Sequence, residues 1–335
     1  MKIKPWVLIL AVCAGLAITS TAFADVQYVE TMPASQIPQI VYWFWRSNTV
    51  ANAQFLNDVR SMATNSPYTM AIMTARNFSN APGTDVDFYD FQKMHGPFAE
   101  TVREAHQHNL KICMQIWEAW SLARTREWHL RPQLPIAHAL ALVTEGEVTL
   151  DANGHADYSV VATDGRDRQP FHSVLLKIFA FHKIGDSYYL KNSLADITSS
   201  AKTVTSDPAS TTLSIDAPKR LAGETAYIMV AHYYDFPDLF NNVMADTFRD
   251  ALEHYADIPL DGTALDEFGY MMLKPKRDHP FRGRFYGKAF AAEFKKRTGS
   301  PLERALFDMR FAPVGEPEVR IRAINEYFDV MRDGP

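Results

Sequence analysis

Four apolar runs in this chain each give way to residues able to do chemistry. The run 37–45 ends Trp43-Phe44-Trp45-Arg46, the run 68–75 ends at Thr74-Ala75 before Arg76, and the run 110–117 leads into Trp117-Glu118-Ala119-Trp120. The segment 261–269 contains Leu265-Asp266-Glu267-Phe268-Gly269, followed by Tyr270. If these runs are parallel strands, their carboxyl ends bring carboxylates, arginines and indoles to one rim. Glu118 and Glu267 form the informative pair. Hydrolysis of a glycosidic bond needs one carboxyl to protonate the departing oxygen and a second to act as nucleophile or to activate water. A separation of about 5 Å favours retention and about 6.5 to 9.5 Å inversion. A Glu that follows a buried strand loses hydration unless it is paired or used, and burial raises its pKa toward that of an acid catalyst. Asp266 is placed to orient Glu267. Glu118 has two readings of equal weight: catalysis, or a structural ion pair with Arg76 or Arg124.

The five Trp beyond residue 24, at 43, 45, 117, 120 and 128, all fall in the first part of the chain. Flat rings at the mouth of a cleft offer stacking faces to the C–H faces of a sugar. Trp43 and Trp117 read as core, and Trp45 and Trp120 as the ligand platforms. Arg46, Arg76, Tyr234 and Tyr270 complete the expected substrate-binding set, with Tyr233-Tyr234-Asp235 either reaching the rim or packing as a linker. Other chemistries find less support. Asp266 and Glu267 are hard-cation ligands, but no dense Asp/Asn loop surrounds them. No His-x-x-x-His or Cys-His pattern marks zinc, no Gly-x-Ser-x-Gly marks a serine esterase, and no Gly-rich phosphate loop is present. No metal and no cofactor is expected. His106 and His108 fall on or at the end of a helix, and His172 and His182 in β structure.

The elements that would position these residues can be read from periodicity. The runs 37–45, 68–75 and 110–117 are continuous and apolar, as strands buried on both faces are. Between them Ala53, Leu56, Val59 and Met62 recur at helical spacing, as do Phe98, Val102 and Ala105. This alternation predicts a parallel α/β sheet. From about residue 136 the pattern becomes short alternating strands, such as 147–150, 173–181 and 226–231, separated by Gly- and Asp-containing turns. Helical spacing returns at 240–255, the strand 261–269 comes next, and the remainder reads as helices at 285–297, 302–309 and 318–331. The expected fold is α/β, a (β/α)8-type barrel, whole or incomplete, with an inserted β-sandwich. Its divisions are a first barrel part at 25–135, the sandwich at 136–233 and a continuation of the barrel at 234–335. Four α/β strands are fewer than a barrel's eight, which favours a piece of a longer protein over final elements unlike the barrel template.

Residues 1–24 read as a secretory signal peptide: Lys2 and Lys4, an uncharged apolar run from Trp6 to Ala17, and Ala22-Phe23-Ala24 before Asp25. The run is shorter than the roughly 20 residues of a spanning helix, and Cys13 follows Val12 rather than the small residue of a lipid-attachment site. The expected location is therefore the periplasm or the extracellular space, with no membrane span after cleavage. About 310 residues would remain, enough for a real core. Only Cys113 would survive cleavage, so no internal disulfide is available. A net charge of -5 without a Lys/Arg cluster removes the footprint of a nucleic-acid binder and leaves small molecules or neutral polymers as partners.

The segments 40–45, Gln115-Ile116-Trp117-Glu118, the β insert and 260–269 together resemble the amino-terminal half of large secreted glycoside hydrolases with a (β/α)8 barrel, the bacterial α-L-rhamnosidase-like proteins being nearest. The resemblance implies an oligo- or polysaccharide substrate and places Glu267 where many retaining barrel glycosidases carry the acid/base, at the end of strand four. Their nucleophile follows a later strand, a role that falls here to Glu118 if the chain is self-sufficient. Two rival readings use the same features: a non-catalytic carbohydrate-binding protein, and a structural protein of the cell envelope.

Overall fold

In the computed structural model, residues 39–45, 52–75, 91–118, 134–162, 169–266 and 284–334 are described, and all of them but Gln39 fall in one compact unit, Ile40–Pro335. Strands β1 (Ile40–Trp45), β2 (Met70–Ala75) and β3 (Lys111–Glu118) alternate with helices α1 (Asn52–Asn65) and α2 (Phe91–Gln107). Both strand pairs are parallel, as strand–helix–strand connections require. One face of the sheet takes Ala71, Met73, Ile112 and Met114, and the helices answer with Phe55, Val59, Phe98, Val102 and Ala105. Burial of such side chains contributes about 1.5 to 3 kcal/mol each. Helix α2 stops because Asn109 turns left-handed, φ 60°, a conformation Asn tolerates. The Leu110 N–H then returns to the Ala105 carbonyl at 2.9 Å.

The chain next leaves this layer. Strands β4 (Ala139–Thr149), β5 (His155–Val161), β6 (His172–Phe181), β7 (Lys183–Ile184), β8 (Tyr188–Tyr189), β9 (Ala195–Asp196), β10 (Ala201–Ser206), β11 (Ser210–Asp216) and β12 (Thr225–Pro237) intervene before α3 (Val243–His254). After α3, β13 (Gly262–Asp266) pairs with β3 in parallel, giving the order β1-β2-β3-β13. The structure is thus mixed α/β, and among the described residues the parallel strands form an open sheet and do not close into a barrel.

The antiparallel part has a five-stranded sheet, order β14-β4-β12-β6-β9 with β14 at Phe285–Tyr286, and a three-stranded sheet, order β10-β11-β5. Strand β12 explains how they assemble. Its Ala226, Ile228 and Val230 meet Leu213 and Ile215 of the smaller sheet, while Tyr227, Met229, Ala231 and Tyr233 point the opposite way. Both faces are covered, so the run reads as nearly continuous apolar. Gly146 on β4 makes room for the Tyr158 ring crossing from β5; a Cβ there would overlap the phenol.

The cover on the second face of β12 differs from expectation. Helices α4 (Lys288–Thr298), α5 (Leu302–Asp308) and α6 (Glu318–Asp333), which the sequence pattern assigns to the continuation of the α/β unit, pack on the five-stranded sheet. Phe290, Phe294, Leu302, Phe307 and Tyr327 join Phe179, Phe181 and Tyr227 in one core, with Phe307 4.9 Å from Phe179 and 5.2 Å from Phe181, ring centre to centre. Helical spacing shows that a face will be buried, not which sheet buries it. The five-stranded sheet is therefore the middle of three layers, between the three-stranded sheet and the helices, rather than one half of a two-sheet sandwich alone. A third small sheet, β15 (Ala312–Pro313) with β8 and β7, ties the helices to the β6–β9 connection.

Two buried polar devices lock the helices down. Arg284 pairs with Glu145 of β4 and donates to the Leu306 carbonyl at 2.9 Å. Asp238, fully buried, accepts the backbone N–H groups of Ala289 and Phe290 at 3.0 Å each and of Phe240 at 3.1 Å. It caps the first turn of α4 from fifty residues upstream, where free N–H donors need an acceptor. Burial nonetheless pushes its carboxyl above the usual range, against the pull of those donors.

Candidate functional site

The carboxyl ends of the four parallel strands are Trp45, Ala75, Glu118 and Asp266. Register decides which of them stand level. Trp45 pairs with Ala75, and Asp266 pairs with Glu118. Neighbouring strands lie about 4.8 Å apart, so two acidic residues occupy adjacent positions at one edge of the sheet. Strand β3 carries an extra residue just before this point: Ala264 is opposite Gln115 and Leu265 opposite Trp117, so Ile116 is bulged. Bulges bend a strand and re-aim the residues beyond them, and this one lies two residues before Glu118.

Just inside the edge is a polar contact that sequence reasoning did not single out. The Thr74 hydroxyl donates to the Gln115 side-chain oxygen, and both residues are buried. Buried polar groups are nearly always paired. The available signal is a polar residue inside each of two strongly apolar runs, Thr74 in 68–75 and Gln115 in 110–117. At the opposite end of the strands Asp261 joins β3 and β13. Its carboxylate accepts the Ile112 N–H at 2.8 Å and lies 2.8 Å from the His106 ring nitrogen, while its own N–H donates to the Ile112 carbonyl. Burial pushes the Cys113 thiol up, and nearby Asp261 adds to that, which makes this cysteine a poor nucleophile at neutral pH.

The structure separates the expected site residues. Glu118 and Asp266 come together through backbone register. Trp45 does not serve as a platform: it is 1% exposed, stacked on Phe55 at 3.6 Å with its edges against Trp43 and Phe98. The ring of Phe55, one helix away, takes the face a sugar would need. Tyr234, 3% exposed, belongs to the core between the five-stranded sheet and the C-terminal helices, and Asp235 accepts the Leu134 N–H at 3.1 Å. That segment packs as a linker. Arg46, Arg76, Trp120, Glu267 and Tyr270 lie outside the described residues, as do the signal segment 1–24, Arg124 and Trp128. Among the described residues no group of three His, Cys, Asp or Glu side chains could hold a metal ion, and no helix is long and apolar enough to cross a membrane.

The fold and edge describe a mixed α/β protein with two acidic residues at the carboxyl ends of neighbouring parallel strands. No protein family model matches the chain, and no curated protein matches it. Among solved structures it is similar to a rhamnosidase from Novosphingobium sp. PP1Y, with a TM-score of 0.40 and 9% identity over 90% of this chain and 44% of that one. The chain thus spans less than half the length of that enzyme.

Proposed function

We propose that this chain is a secreted, glycoside hydrolase-like protein that acts on oligo- or polysaccharides in the periplasm or outside the cell through a pair of carboxylates. The observation that carries the reading is the register of β13 on β3, which sets Asp266 level with Glu118 and makes Glu267 the next residue along. Ligands of α/β sheets bind beyond the carboxyl ends of the strands, the edge where these acids lie. Glu267 is the general acid/base in this reading, Glu118 the second carboxylate or a substrate anchor, and Asp266 and Arg76 supports. Trp120 remains the sugar platform, since Trp45 is committed to the core, and Arg46 and Tyr270 remain substrate contacts. The parallel sheet is taken as part of a (β/α)8-type barrel, with the antiparallel layers inserted after β3.

The chemistry asked of the pair is proton delivery to the glycosidic oxygen by one carboxyl and attack, or water activation, by the other. The test is hydrolysis across a panel of aryl glycosides and oligosaccharides. On any glycoside the wild type cleaves, Glu267→Gln is expected to lower kcat/KM by about 10² to 10⁴. Near wild-type hydrolysis by that variant sinks the assignment. Glycan binding without turnover, surviving loss of both glutamates, would instead mark a carbohydrate-binding protein.

A further inference from the structure

One end of the interface between the two antiparallel sheets contains a hydrogen-bond chain unrelated to the rim. Ser173 on β6 and His232 on β12 are cross-strand partners and both buried. The Ser173 hydroxyl donates to the Pro208 carbonyl at 2.8 Å and lies 2.7 Å from the His232 Nδ1. A hydroxyl has one hydrogen. Since it goes to Pro208, Nδ1 must carry its own hydrogen and donate to the serine oxygen, which leaves Nε2 as a bare lone pair. That Nε2 is buried with no hydrogen-bond partner among the described residues. Pro208 lies in the turn between β10 and β11, so this chain fastens the turn to the five-stranded sheet. Beside it the Ala162 N–H donates to the Ala209 carbonyl at 2.6 Å, and the Asp207 N–H donates to the Ser210 carbonyl at 3.0 Å.

We propose that the Ser173–His232 pair is an acid-sensitive latch, which holds the β10–β11 turn against the five-stranded sheet and releases it when the imidazole takes up a proton. A second proton must go on Nε2, where nothing among the described residues accepts its hydrogen, and a cation so placed has lost its hydration. The groups packed round the ring do not compensate. Level with it, β4 offers Leu142 and β6 carries Ser173 with exposed His172 beside it, while the buried residues of β11, Thr211, Leu213 and Ile215, do not titrate. On β5 the inward titratable group is the Tyr158 phenol, itself pushed up by burial. The turn's Asp207 carboxylate is engaged by the Ala209 and Ser210 N–H groups at 2.7 Å each. Among the described residues no carboxylate reaches Nε2.

Burial pulls the imidazole from an ordinary 6.5 down to about 4. The open form, with an ordinary imidazole, therefore binds the proton first. The latch is at full strength above about pH 6.5 and is lost as pH falls toward about 4.

Hydrogen exchange on the intact protein tests this. Between about pH 7 and about pH 4.5 the protection of the Ala162 and Asp207 amides is expected to fall by about tenfold or more relative to amides in the middle of β12. His232→Asn, which keeps a donor for Ser173 and cannot be protonated, is expected to abolish that change. Unchanged relative protection in the wild type, or the same fall in the Asn variant, overturns the proposal. Imidazole ¹⁵N resonances of the unsubstituted protein give a reading that does not depend on the variant folding: a protonated Nδ1 and bare Nε2 at neutral pH are expected, and a hydrogen on Nε2 contradicts the latch.

Discussion

Gly287→Ala is a small change with a large expected cost. Gly287 precedes α4 in extended backbone, φ -147° and ψ 153°, so alanine meets no conformational penalty there. The cost is steric. A Cβ would overlap the Asp238 carboxylate, which is fully buried and receives the Ala289 and Phe290 N–H groups at 3.0 Å. Moving the carboxylate breaks or stretches both bonds and leaves helix-terminal donors unpaired in a dry interior, at about 1.5 to 3 kcal/mol for each bond to a charged group. A loss of about 3 to 5 kcal/mol is expected, a large share of a typical total of about 5 to 15. At about 2 °C per kcal/mol for a chain of this size, Tm falls by roughly 6 to 10 °C. Urea and thermal denaturation of Gly287→Ala, Asp238→Ala and the double variant measure it. Because both changes damage the same cap, the double variant should cost little more than the worse single one. If Gly287→Ala stays within about 0.5 kcal/mol of wild type, or if the two costs simply add, the cap does not work as described.

Two further outcomes are expected from the packing. Arg284→Met leaves the Glu145 carboxylate buried without its cation and is expected to cost about 3 to 5 kcal/mol, of which Glu145→Leu on top should recover a large part; urea denaturation of the three variants checks it, and an additive loss contradicts it. Trp45→Ala is expected to destabilise by about 3 to 5 kcal/mol while leaving KM for any cleaved glycoside unchanged below its Tm. A raised KM at unchanged Tm would return Trp45 to the substrate.

Much of the parallel layer is legible because its strands coincide with unbroken apolar runs: 37–45 contains Ile40–Trp45, 68–75 contains Met70–Ala75 and 110–117 largely coincides with Lys111–Glu118, although β1 is not buried on both faces, since Ile40 and Tyr42 are exposed. The sequence pattern marks β12 only at 226–231, although the strand extends to Pro237. His232 and Asp235 interrupt its apolar run, and their partners, Ser173 and the Leu134 N–H, are distant in sequence. The same limit applies to α4, α5 and α6: their spacing announces buried faces, but it takes the tertiary contacts of Phe290, Phe307 and Tyr327 to reveal the antiparallel sheet as the partner. At the site, the acids that end β3 and β13 are legible as strand ends, whereas their being level depends on register and on the bulge at Ile116, which no local pattern encodes. Trp45 shows the converse. An indole at a strand end suits a rim or a core equally, and the stacked Phe55 ring decides it.

If Glu118 at the end of β3 and Glu267 just after β13 work together on a glycosidic bond, the pH dependence of kcat/KM carries the signature of both. For the wild type on a cleaved glycoside a bell is expected, its limbs set by the two carboxyls of the free protein. Glu118→Gln is expected to remove one limb and lower the maximum by about 10² or more at unchanged Tm. A bell of the same shape and height in Glu118→Gln would show that Glu118 takes no part in the reaction.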